Sequence, residues 1–134
     1  MEIEMVTGRI AQNLEHLKRF TSTPNAGCTR LPFTKETRDA VDYLRKEMEE
    51  IGLEVKEDAA GNIYGILRGT DSSLPCVMTG SHIDSVLHGG NYDGIAGVVC
   101  SLEVARQIVE MGLEHRRDLV VIGFMDEEGM RFGT

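Results

Sequence analysis

The sequence predicts an α/β fold, and three observations predict it. Two almost wholly apolar runs, 75–80 (with Val77 and Met78 at its centre) and 119–125, have the character of sheet strands buried on both faces. Between them lies a long helical pattern, 95–111, that begins with small residues (Gly94, Ala96 and Gly97), so that a helix can lie close on a sheet. Strand, helix and strand in that order form a βαβ unit, which implies a parallel pair joined by a right-handed crossover.

The remaining elements follow in chain order. Residues 7–20 place Ile10, Leu14 and Leu17 at helical spacing, with Thr7 as the expected N-cap. Pro24, Gly27 and Pro32 punctuate a polar loop from 21 to 32. Thr34 opens a second helix whose stripe is Ala40, Val41, Leu44, Met48 and Ile51, with Gly52 as its stop. The period then changes to two: Leu53 and Val55 alternate with Glu54 and Lys56 in a short half-exposed strand. Ala60-Gly61-Asn62 is a turn signal, and 63–67 is a further strand. Met48, Met78 and Met125 are expected in the core. Cys76 and Cys100 are expected to be buried and Cys28 exposed in its loop.

Composition narrows the function. The 134 residues are 41% hydrophobic and 27% charged, ordinary values for one globular domain. Fourteen Lys and Arg against twenty-two Asp and Glu leave a net charge of −8, which argues against nucleic acid and against an anionic membrane as partners. No apolar run approaches the roughly 20 residues of a membrane span. The start, Met1-Glu2-Ile3-Glu4-Met5, lacks a signal-peptide pattern, and three widely spaced cysteines suit reduced thiols, so a cytoplasmic location is expected.

The polar residues collect where the two apolar strands end, the edge at which open α/β sheets bind ligands. The first runs into Gly80-Ser81-His82-Ile83-Asp84-Ser85. His82 and Asp84 fall on one side of an extended backbone, so Asp84 is placed to orient the imidazole, with a backbone group as the alternative orienter. Gly89-Gly90-Asn91-Tyr92-Asp93-Gly94 leads into the long helix, with Asp93 at or near its N-terminus. The second strand runs into Asp126-Glu127-Glu128-Gly129, three acids whose mutual repulsion calls for a cation or for water. Singly, each feature has an ordinary explanation: a hydrogen-bonded pair, a helix cap, a solvated loop. Together at one sheet edge, an imidazole and carboxylates suit a divalent ion, and a Glu beside a liganding Glu suits a general base. His16, His88 and His115 lie in polar or glycine-rich surroundings and are expected outside the site.

These segments, 80–85, 89–98 and 126–132, together with Gly27-Cys-Thr-Arg-Leu31 and Asp58-Ala-Ala-Gly-Asn-Ile-Tyr-Gly65, resemble the N-carbamoyl-L-amino-acid hydrolases and allantoate amidohydrolases. That branch lies within the dinuclear metallopeptidase superfamily that includes aminoacylases and glutamate carboxypeptidases. The resemblance implies that residues 1–134 are the N-terminal portion of a three-layer catalytic domain with a mostly parallel sheet, ending after a central strand. It implies His82 on one metal ion, Asp93 bridging two, Glu128 on the other, Glu127 as the base for the attacking water, and Asp84 orienting His82. The ions would be Zn²⁺ or Mn²⁺, with Co²⁺ and Ni²⁺ as alternatives, and the substrate a small N-carbamoyl or ureido compound. A peptidase or N-deacylase activity and a non-catalytic, self-associating domain are the other readings. The family supplies a further ligand to each metal, a lid and homodimerisation domain, and substrate-binding arginines from sequence not present here. Metal binding by these 134 residues is therefore expected to be weak or absent, and the chain by itself inactive. Self-association is expected through the apolar 119–125 strand as an unpaired edge.

Overall fold

The computed structural model describes residues 3–132; Met1, Glu2, Gly133 and Thr134, at the two ends of the sequence, lie outside the described residues. The elements run α1 (Ile3–Leu17), α2 (Lys35–Ile51), β1 (Glu54–Glu57), β2 (Ile63–Leu67), β3 (Val77–His82), α3 (Ile95–Glu110) and β4 (Leu119–Phe124). None of the described helices is long and apolar enough to cross a membrane.

The second helix follows its sequence closely because both ends are capped. Thr34 accepts a hydrogen bond from the Thr37 N–H in a capping box, and Gly52 closes the helix in the left-handed region at φ 94°. Its predicted stripe is buried to the last residue. The first helix differs. It begins at Ile3, so Thr7 is an interior residue of the helix rather than its N-cap, and it ends at Leu17, after which the chain tightens through Arg19 N–H to His16 O and Phe20 N–H to Leu17 O. Leu17 is buried, with Ile10 and Leu14 packed beside it.

The four strands form one sheet in the order β1-β2-β4-β3. The parallel pair implied by the strand–helix–strand unit is β3 with β4, in a register that puts His82 opposite Phe124. The β1–β2 and β2–β4 pairs are antiparallel, so across the described residues the sheet is mixed rather than mostly parallel. All three helices share one hydrophobic cluster with one face of the sheet, which contributes Ile63 and Val121. Gly97 lets α3 close on β3: a Cβ there would lie 2.8 Å from the Ser81 Cβ.

Strand order overturns several burial expectations. The strand at 119–125 is not an edge: β4 is paired on both sides, and the edges among the described strands are β1 and β3. Consequently Val77 and Met78 are each half exposed rather than buried on both faces, and Met78 is not a core residue. Cys76, just before this edge strand, is exposed, as is Cys100 on the outer side of α3. Cys28 is buried instead, because it forms a two-bond antiparallel bridge with Gly89.

Candidate metal centre

Because β3 and β4 run parallel and in register, their C-terminal ends deliver His82 and the 126–128 acids to the same edge. His82 is the last residue of β3 and is 8% exposed. Its Nδ1 lies 2.9 Å from the main-chain carbonyl of Asp84. A carbonyl only accepts, so Nδ1 is assigned a proton, and in the neutral ring this tautomer leaves Nε2 with the lone pair a metal would take.

That Nε2 is 3.9 Å from an oxygen of each of three carboxylates, Asp93, Glu127 and Glu128. These separations are too long for hydrogen bonds. They are close to the ~3.4 Å between neighbouring donors in a tetrahedral site with ~2.1 Å bonds. The donor atoms of His82, Asp93 and Glu128 all lie within 4.8 Å of one another. Among the described residues no Lys or Arg pairs with Asp93, Glu127 or Glu128, and their carboxylates accept no hydrogen bond. Three acids converging on one imidazole without a counter-cation form a donor set that suits a hard to borderline divalent ion.

The surroundings hold these groups in place. Asp93 immediately precedes Gly94, the N-cap of α3, and its carboxylate caps nothing: it is the Asp93 carbonyl that accepts from Ile95 N–H, at 2.8 Å. Gly94 sits against the imidazole, at φ 70° and ψ −59°. A Cβ there would fall 2.4 Å from ring atoms of His82. Asp84 is fully buried and reaches His82 through its carbonyl, the backbone alternative; its carboxylate oxygen is 3.8 Å from Nδ1. The carboxylate instead accepts the N–H groups of Glu127 and Glu128, at 3.2 and 3.3 Å, and so ties the end of β4 to the end of β3.

The acidic triplet divides by function. Asp126, at φ 61°, turns away and accepts the N–H groups of Arg131 and Phe132, while Glu127 and Glu128 face the site. Two further supports were not assigned a role from the sequence. The side-chain carbonyl of Asn62 accepts the Met125 N–H at 2.9 Å, and Asp58 braces Asn62 in turn. Arg30 is buried behind Asp84. Both residues lie in segments noted above for their resemblance alone, where spacing gave no chemical hint. His88 bonds to the Ala26 carbonyl, His115 to that of Arg117, and His16 stacks on Tyr43; none joins the donor group.

Fold and site together define an α/β domain carrying a His–carboxylate donor set at the C-terminal edge of a parallel strand pair. The model of peptidase family M28 matches residues 62–134, and the chain belongs to that family. It is 45% identical over 126 residues to an N-carbamoyl-L-amino-acid amidohydrolase of Paenarthrobacter aurescens, covering 94% of this chain and 30% of that protein. It is 38% identical to an allantoate amidohydrolase of Bacillus subtilis, covering 95% of this chain and 31% of that protein. A crystal structure of a hydantoinase/carbamoylase family amidase from Burkholderia ambifaria superimposes with a TM-score of 0.90 at 32% identity, covering 95% of this chain and 31% of that one. The chain thus spans about 30% of the length of the relatives it matches.

Proposed function

We propose that the chain is the metal-binding part of an amidohydrolase that cleaves the carbamoyl or ureido C–N bond of N-carbamoyl-L-amino acids or allantoate-like compounds. The observation that carries this reading is the convergence of Asp93, Glu127 and Glu128 on the Nε2 of His82. His82, Asp93 and Glu128 would hold divalent metal, Zn²⁺ or Mn²⁺ by the character of the donors, with Asp93 shared between two ions as the family resemblance implies. Bound metal would polarise the substrate carbonyl and acidify a water. Glu127 is the carboxylate left over: it is about half exposed, stands beside the donor group, and is placed to take the proton of an attacking water. Asp84 orients His82 through its carbonyl and sets the main chain of both glutamates.

Three described ligands are too few for a tight two-metal centre, so metal binding is weak and turnover by these 134 residues is low or nil. The names of the relatives favour ureido over peptide substrates. The test is calorimetric titration of Mn²⁺ and Zn²⁺ into the chain and into His82→Ala, Asp93→Asn and Glu128→Gln. Saturable binding that each substitution weakens at least tenfold is expected; equal uptake by all four proteins would defeat the reading. Ammonia release from an N-carbamoyl-L-amino acid, measured against cleavage of a dipeptide and of an N-acetyl amino acid, separates the hydrolase classes.

A further inference from the structure

Arg30 is the largest fully buried side chain of the described residues, at 1% exposure, and the reaction outlined above gives it no task. A buried guanidinium is costly unless its donors are met, and the usual partner is a carboxylate. Here no carboxylate among the described residues lies within ion-pair distance of it. Its side-chain partners are three main-chain carbonyls: Leu17 at 2.9 Å and Phe20 at 3.2 Å, at the end of α1, and Ile83 at 2.8 Å, through Nε. Leu17 is the last residue of α1 and its carbonyl also accepts the Phe20 N–H, while Phe20 lies just beyond the helix.

The third contact bears on the metal centre. Ile83 is the residue between His82 and Asp84. Its N–H still donates to Phe124 of β4, at 2.9 Å, and its carbonyl, beyond the last residue of β3, goes to Arg30. The main chain of Arg30 grips the other side of Asp84: its N–H donates to the Ser85 hydroxyl at 2.8 Å, and its carbonyl accepts the Ser85 N–H at 2.9 Å. Asp84 is therefore held on both flanks by one residue, by the side chain before it and by the main chain after it. Asp84 is also the residue whose carbonyl fixes the His82 ring and whose carboxylate fixes the N–H groups of Glu127 and Glu128.

We propose that Arg30 is a positioning residue of the metal centre: by clasping Ile83 and Ser85 it sets Asp84, and through Asp84 it aims His82, Glu127 and Glu128 at a common point. The inference rests on the metal-binding reading above. It differs from a purely structural role, which would be exhausted by capping α1. The orientation of metal ligands is sensitive to such supports, whose loss commonly weakens metal binding about 10- to 100-fold.

The test is a Co²⁺ titration of the chain followed by visible absorption, with hydrogen exchange of individual amides measured in parallel. Arg30→Lys keeps the charge and loses the planar fork, and Ser85→Ala removes only the hydroxyl that receives the Arg30 N–H. Arg30→Lys is expected to bind Co²⁺ about 10- to 100-fold more weakly, with a shifted ligand-field band and faster exchange at Glu127 and Glu128. Protection of α2 amides such as Leu44 should persist, showing that the fold remains. Ser85→Ala should move the same readouts in the same direction by a smaller factor, and it carries the test if Arg30→Lys does not fold. Folded variants with the parent band, affinity within twofold and unchanged exchange at Glu127 and Glu128 would overturn the inference. His82→Ala separates the two levels: if it binds Co²⁺ as the parent does, the metal-binding reading has failed and the role of Arg30 falls with it.

Discussion

Replacing Gly94 by alanine gives a sharp test of how the His82 ring is seated. Two costs can be worked from the structure. Gly94 occupies a γ-turn conformation, φ 70° and ψ −59°, closed by the Ile95 N–H to Asp93 carbonyl bond, a region in which a side chain costs ~1–3 kcal/mol. The new Cβ would also start 2.4 Å from the Nδ1 and Cε1 of His82. Carbon contacts settle near 3.5 Å, so ring and helix must part by about 1 Å, and forced overpacking of this kind costs ~1–3 kcal/mol. The sum is ~2–6 kcal/mol, a large share of the ~5–15 kcal/mol typical of a domain. Gly52→Ala supplies the comparison. Gly52 is also at positive φ, 94°, yet a Cβ there meets nothing within 4 Å, so only a backbone term of ~1–2 kcal/mol applies. Urea denaturation should therefore rank Gly94→Ala below Gly52→Ala. Co²⁺ binding should be at least about tenfold weaker in Gly94→Ala alone, because a ligand displaced by about 1 Å leaves a loose site. If both variants lose the same stability and neither loses metal affinity, the ring is not seated against Gly94 as described.

Two other outcomes follow from the packing. Glu103, buried between α1 and α3, accepts from Arg9 at 2.6 Å and from Gln107 at 2.6 Å, while Arg9 also holds Glu110 at 3.0 Å, so Glu103→Ala removes a charged hydrogen-bond partner without stranding Arg9 and should cost ~1–3 kcal/mol by urea denaturation. Asp118 is held below the usual carboxylate range, first by the Gly69 N–H and then by the Arg68 guanidinium. A depressed folded-state value means that its stabilisation is complete above the unfolded value of about 3.9 and is lost as pH falls through the folded one. Melting temperature should thus fall on acidification below about pH 4, and Asp118→Asn should show a shallower fall over that range.

How far the sequence could be read depended on the range of the interactions involved. The caps of α2 act within three or four residues, so Thr34, Gly52 and the stripe between them were legible as written. The βαβ unit was legible because apolar runs and helical period are local patterns, and it alone was enough to bring His82, Asp93, Glu127 and Glu128 to one edge. The start of α1 was not legible, since Thr7 has the chemistry of a cap and nothing nearby shows that the helix already runs past it.

Burial and support were decided by the tertiary structure. An apolar strand looks the same in the sequence whether it lies at the centre or the edge of a sheet. Only the order β1-β2-β4-β3 made β4 central and left Val77 and Met78 half exposed. The same holds for Cys28, buried by a partner sixty-one positions away. The supports of the site are of this kind too: Asp84 to the main chain of Glu127 and Glu128, Asn62 to Met125, and Arg30 to Ile83. The sequence by itself determined which groups could do the chemistry, because donor type and strand-end position are written in it. The tertiary structure decided what holds them within 4.8 Å of one another, because a hydrogen bond to a main-chain carbonyl depends on where the backbone lies and leaves no mark on the identity of the residue that supplies it.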